Sequence, residues 1–204
     1  MVDGNAVDAG SVRLNPREAL ERLKSGNDAY LNTRENRGDL SKETAERLFN
    51  DGQQPYACII TCADSRVVPE FIFSAGVGEL YCIRVAGNVV GDMELASALH
   101  AASHLNTSLI VVLGHTHCDA IETAMEFYDN KVPAEGDAIA PLAWTIIAGT
   151  DGDHYPVTAA IANVRFGMEA LLAEPEIKRR ADEGSLQVVG ALYHTDSGEV
   201  DFLD

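Results

Sequence analysis

Lysine is scarce in this chain. It stands only at positions 24, 42, 131 and 178, and Lys and Arg together number 15 against 32 acidic residues, a formal net charge of -17. A surface so poor in cations repels phosphate backbones and anionic headgroups, so neither nucleic acid nor a membrane surface is an expected partner. No apolar run approaches the roughly 18 residues of a membrane span, and Met1 to Gly10 is polar and acidic, unlike a signal peptide. A cytoplasmic protein is expected. Only four cysteines occur, Cys58, Cys62, Cys82 and Cys118. Their irregular spacing fits thiols or metal ligands better than a disulfide framework.

The acidic residues that are present run along the whole chain and do not gather into a tail, which describes a solvated surface. Many carboxylates and few lysines suit a halophilic protein, because in concentrated salt repulsion between like surface charges is screened within a few ångströms. A length of 204 residues with 46% hydrophobic side chains is enough for one buried core. The expected organisation is a single domain, 1–204, made of a helical arm over 1–51 and an α/β core over 52–204.

Asn15-Pro16-Arg17-Glu18 reads as an N-cap, a proline at the first helical position and an acid at the third, opening a helix that runs to about Tyr30. Ser41 opens a second helix and Gly52 closes it. After that the pattern changes. Tyr56 to Thr61, Leu80 to Val85, Ser108 to Leu113 and Leu186 to Leu192 are short, continuous apolar runs, the mark of strands buried on both faces. Between and after them lie helical segments, roughly Asp92 to Leu105, His117 to Asp129, Pro141 to Ala148, Tyr155 to Ala173 and Pro175 to Glu183. Asp196-Ser197-Gly198-Glu199 is a turn, with Val200 to Leu203 returning as a hairpin edge strand. The fold class predicted is α/β, a mostly parallel central sheet flanked by helices, with the helical arm in front.

Open parallel sheets collect chemistry at the carboxyl ends of their strands. Cys62 follows the first apolar run, and His115 and Cys118 follow the third. Two thiols and an imidazole are a three-ligand set for zinc that leaves a fourth position to water. Cys58 precedes Cys62 by four residues of extended strand, roughly 13 Å, too far to share an ion, and with Cys82 it reads as core. His100 and His104 have helical i, i+4 spacing but lack the glutamate of a zinc-protease helix. His117 is read as a solvated side chain or a proton carrier. Gly76-Val77-Gly78 precedes a strand where a dinucleotide fingerprint would follow one, and Gly114-His115-Thr116-His117 lacks a phosphate-loop lysine.

Water on zinc ionises near neutral pH, with a pKa of about 7. Asp64, two residues past a ligand, is placed to accept the hydrogen bond of the resulting hydroxide, and Arg66 to hold Asp64 ionised through a bidentate pair. An ordinary local ion pair is the plain alternative. Asp64 is also close enough to act as a fourth ligand in a closed state, which would show as activity lost below a threshold pH.

Cys62-Ala63-Asp64-Ser65-Arg66 and Gly114-His115-Thr116-His117-Cys118 resemble the two signature motifs of the β-class carbonic anhydrases. The resemblance runs from about Gly52 to the C-terminus and includes Arg84-Val85-Ala86-Gly87-Asn88 and Gly190-Ala191-Leu192-Tyr193 with Asp196-Ser197-Gly198. It implies reversible hydration of carbon dioxide to bicarbonate, a carbonate dehydratase with one Zn2+ per subunit on Cys62, His115 and Cys118, and an Asp64/Arg66 dyad. Gly52-Gln53-Gln54-Pro55 is similar to the plant-like branch, which implies substrate contacts from Gln53, Tyr81 and Ala86. It also implies a homodimer or larger homo-oligomer, with the site at the interface and the N-terminal helices around the partner. Asp119 departs from the glycine usual after the second zinc cysteine; a carboxylate there lowers activity, alters anion inhibition or caps the helix. The rival functions are hydrolysis of carbonyl sulfide or carbon disulfide on the same fold, and a non-catalytic zinc-binding regulatory protein.

Overall fold

Ala57–Thr61 (β1) and Leu109–His115 (β3) are buried along their whole length, as strands must be when helices cover both faces of a parallel sheet. The computed structural model describes residues 13–130, 138–150 and 155–203; the polar Met1 to Gly10 segment lies outside them, apart from which the sequence readings can be placed. Leu80–Arg84 (β2), Gln187–Tyr193 (β4) and Val200–Leu203 (β5) complete a five-stranded sheet of order β2-β1-β3-β4-β5. All neighbours are parallel except β5, which returns antiparallel to β4. The expected mostly parallel α/β sheet is therefore present.

The strand order reverses between β1 and β3. From β1 the chain steps outward to β2, then crosses back to β3 on the other side, so the carboxyl ends of β1 and β3 border the switch point. Alternation along these strands sends Ala57, Ile59, Leu109, Val111 and Leu113 to one face and Cys58, Ile60, Ile110 and Val112 to the other. The first face is covered by helix Pro16–Thr33 (α1) through Ala19 and Leu23, and by Ile72 of the short Pro69–Ile72 (α3). The second packs under Asp92–Ser103 (α4), Pro156–Ala173 (α7) and Pro175–Asp182 (α8). A third apolar cluster at the carboxyl end is closed by Asp119–Asn130 (α5) and Ala140–Thr150 (α6).

Helix α1 starts where its cap residues place it. Asn15 Oδ1 accepts from the Glu18 amide at 3.0 Å while Glu18 accepts from the Asn15 amide at 2.8 Å. Its buried Asn27 donates to the carbonyls of Ile72 at 3.1 Å and Gly198 at 2.9 Å and accepts from Val200 at 3.1 Å, so α1 is built into the sheet face. Lys42–Asp51 (α2) differs: only Thr44 is buried, and Phe49 is 89% exposed. Among the described residues no helix is long and apolar enough to cross a membrane.

Two boundary shifts bear on the site. The third strand continues past Leu113 to His115 because Gly114 and His115 still pair, with Leu192 and Tyr193 respectively. The following helix begins at Asp119, two residues later than the pattern predicts, because His117 adopts a left-handed conformation, φ 53°, that no helix tolerates. Cys118 thus stands just ahead of the helix, its carbonyl accepting from Ile121 and Glu122 at 3.0 Å. Asp119 is the first helical residue and not the cap.

Candidate metal centre

Thr61, the last residue of β1, donates through Oγ1 to the Leu113 carbonyl at 2.9 Å and pins the ends of β1 and β3 together. Cys62 follows directly on one strand and His115 closes the other. The left-handed turn at His117 then swings Cys118 back toward Cys62. The two sulfurs lie 3.9 Å apart, and the donor atoms of Cys62, His115 and Cys118 all fall within 4.8 Å of one another, every residue buried. Tetrahedral zinc with bonds of about 2.3 Å to sulfur sets two sulfurs roughly 3.8 Å apart.

His115 supplies the sharpest test of fit. Its Nδ1 lies 2.9 Å from the Thr116 carbonyl, which can only accept, so Nδ1 carries the proton and Nε2 the lone pair. Nε2 is buried and has no hydrogen-bond partner among the described residues. A buried acceptor left unmatched costs its desolvation, and an imidazole oriented by its other nitrogen is how proteins present a metal ligand. The donor set suits zinc.

The sulfurs are prepared unequally. The Cys118 sulfur and the His115 ring beside it, with the Asp64 and Gly87 amides that donate to it at 3.4 and 3.3 Å, draw the pKa of Cys62 down despite burial. The shared proton, with burial, pushes Cys118 up; the amides of Ile121 and Ala120 at the start of α5 pull the other way. A divalent cation held by Cys62, His115 and Cys118 would take the place of that proton and let both sulfurs ionise. At His115 burial lowers the pKa, and the Cys62 sulfur, the Thr116 carbonyl and the Asp64 carboxylate together raise it by more.

Beside this cluster, Arg66 grips Asp64 as a fork, Nη2 to Oδ2 at 2.6 Å and Nε to Oδ1 at 3.0 Å, while the Arg66 amide donates to Oδ1 at 2.8 Å. The pairing with Arg66 holds the Asp64 pKa down to about 2, and the carboxylate raises that of Arg66. Arg66 also donates to the His117 carbonyl at 2.8 Å, and Arg84 to the Asp64 carbonyl at 2.8 Å, so both site loops are tied to the dyad. Asp64 Oδ2 stands 3.9 Å from His115 Nε2 and outside the compact donor set. In this geometry Asp64 belongs to Arg66. Asp119 is exposed, and its charge adds to the field on Arg66.

Ala86 opens a short turn, Ala86–Asn88, after β2, directly before the Gly87 amide that meets Cys62. Gly87 has φ 64°, a left-handed conformation that glycine adopts without the strain a Cβ brings. Gln53 and Tyr81 are elsewhere. Gln53 is exposed ahead of β1, whose extended run from Ala57 to Cys62 alone spans roughly 16 Å. Tyr81 pairs with Cys58 near the amino end of the sheet and tilts against His100 at 6.3 Å. One chain does not bring these two to its own metal centre. Cys58 is a buried thiol pushed up to about 12, and burial raises Cys82 as well; His100 and His104 stack at 5.0 Å outside the donor cluster. The sequence reading missed Asn163, buried on α7, which donates to the Gly87 carbonyl at 2.7 Å. Its signal was a lone amide on an otherwise apolar helix face.

A family model described as carbonic anhydrase matches residues 57–200. Carbonic anhydrase 2 of Mycobacterium tuberculosis is 33% identical over 195 residues, 93% of this chain and 94% of that protein. Beta carbonic anhydrase 5, chloroplastic, of Arabidopsis thaliana is 28% identical over 163 residues, 71% of this chain and 52% of that one. One of two tetrameric β-carbonic anhydrases solved from Sordaria macrospora superimposes with a TM-score of 0.67 at 21% identity, over 90% of this chain and 96% of that one, which shows a shared fold.

Proposed function

The chain belongs to the β-class carbonic anhydrases, zinc enzymes that interconvert carbon dioxide and bicarbonate, and on that premise we propose which of its residues carry the reaction. It is a carbonate dehydratase, and zinc is its cofactor. Cys62, His115 and Cys118 hold the zinc, one ion per subunit. The observation that carries this assignment is the buried, unpartnered His115 Nε2 within 4.8 Å of both sulfurs. Bound zinc supplies a Lewis acid that lets water ionise near neutral pH.

Asp64 has a carboxylate oxygen available as an acceptor beside that position, and its role is to orient the attacking oxygen. Arg66 fixes the carboxylate by the fork and keeps it charged. Ala86 lines the apolar side on which carbon dioxide waits. Metal analysis joined to a carbon dioxide hydration assay tests the assignment. Hydrolysis of carbonyl sulfide or carbon disulfide, and a purely regulatory role, are not favoured by relatives that carry carbonic anhydrase names.

Gln53 and Tyr81 serve the site of a second copy. Their position at the amino end of the sheet supports a homo-oligomer in which each site is completed across the interface, and Phe49, 89% exposed on α2, is an apolar side chain for that contact. Gln53→Ala is expected to lower kcat/KM about tenfold, the size of one lost hydrogen bond of about 1.4 kcal/mol, with zinc content unchanged. Mixed with Asp64→Asn chains, it should form hybrids that own one intact site, raising activity above the mean of the two variants. Activity that stays at that mean places Gln53 in its own chain's site or outside any.

One zinc-binding domain over 1–204 is part of the same reading, supported by α1 sharing a core cluster with β1, β3 and β4. So is a cytoplasmic setting, supported by four free thiols. Salt adaptation follows from the net charge of -17. The melting temperature is expected to rise between dilute buffer and molar salt, where the screening length falls to about 3 Å; equal stability in the two would remove this part of the reading.

A further inference from the structure

We infer that Asn163 is a positioning residue for the metal centre, acting through the Gly87 peptide on the Cys62 sulfur. Asn163 is 2% exposed and lies in the middle of α7, a helix seated on β3 and β4. Its amide donates to the Gly87 carbonyl at 2.7 Å. Gly87 in turn donates its N–H to Cys62 Sγ at 3.3 Å, from a left-handed conformation of φ 64° and ψ 18°. On the other side of the turn the Asn88 amide donates to the Val85 carbonyl at 3.1 Å.

The peptide plane between Gly87 and Asn88 is therefore held at both ends, its carbonyl by Asn163 and its N–H by the Val85 carbonyl. The Gly87 N–H lies on the preceding plane, and with the plane after it held and Val85 tied to Thr61 and Ala63, the φ and ψ of Gly87 have little room to turn that N–H away from the sulfur. An N–H aimed at a ligand sulfur fixes the direction of its lone pairs, which supports metal affinity, and by drawing charge from the sulfur leaves a bound metal a stronger Lewis acid. Loss of the Asn163 amide frees the glycine to rotate and takes that N–H off the ligand.

The inference rests on Cys62, His115 and Cys118 being the zinc ligands, so the wild-type protein is measured in parallel. Asn163→Leu keeps the volume and removes the donor; Asn163→Ala is the second variant, smaller and free of steric conflict. In each, zinc affinity by chelator competition is expected to fall 10- to 100-fold, the usual effect of removing a partner that orients a ligand. The thiolate-to-metal charge-transfer band of the cobalt-substituted protein should shift, and kcat should fall with KM unchanged. A residue that merely stitches α7 to the turn would lower the melting temperature alone. Folded variants with wild-type zinc affinity and a superimposable cobalt spectrum overturn the inference, whatever their melting temperature. A wild-type protein that binds no zinc overturns the ligand assignment instead.

Discussion

Replacing Cys62 by serine is expected to yield a folded protein that carries no zinc and hydrates carbon dioxide no faster than buffer. Serine keeps the shape of a side chain that is 4% exposed, so the apolar cluster around it survives. The chemistry does not survive. The pKa of Cys62 is lowered by the neighbouring Cys118 thiol, by His115 and by two backbone amides. A hydroxyl in the same place stays protonated, and a neutral oxygen is a poor third ligand beside one thiolate and one imidazole. Zinc measured by atomic emission and hydration followed by stopped-flow check the result together. Stoichiometric zinc in the variant would take Cys62 out of the ligand set.

Asp64→Asn should separate binding from turnover. Its carboxylate lies outside the compact donor set, so zinc content is expected to match the wild type. Turnover is expected to fall by a factor of roughly 100 to 10,000, the range for a group that handles a proton in the transition state. The amide keeps the outline of the carboxylate but removes its charge and turns one of its two acceptors into a donor. Arg66 then lacks half of its fork, and the site lacks the acceptor that orients the attacking oxygen. A variant with full zinc and unchanged kcat would reduce the Asp64/Arg66 pair to a local salt bridge. One with lost zinc would mean that the carboxylate helps to hold the ion.

Much of this was readable before any coordinates. Asn15, Pro16 and Glu18 mark a helix start because the capping box is local chemistry, and it forms as the spacing implies. The buried strands declare themselves by runs with no polar alternation. Cys62, His115 and Cys118 could be named as a set because strand ends in an open sheet converge, and the strand order then supplies the convergence. The residues that escaped are those whose role depends on contacts far apart in sequence. Thr61 and Leu113 are joined by a hydrogen bond across 52 positions, and Asn163 reaches Gly87 across 76. The late start of α5 escaped for another reason. A left-handed His117 is a single-residue choice imposed by the turn that aims Cys118, and no periodicity records it.

The pin between Thr61 and the Leu113 carbonyl has a consequence for how the ion is acquired. It fixes the origins of Cys62 and His115 through buried strands whose stability comes from apolar packing and backbone hydrogen bonds, none of which involves a ligand atom. The strands that carry Cys62 and His115 to the site are therefore expected to form without the ion. Little ordering entropy is left to lose on loading, in contrast to small zinc modules whose fold and ion arrive together. A chelator is therefore expected to abolish activity while the far-UV circular dichroism stays that of the folded chain, and added zinc to restore the activity without a refolding step.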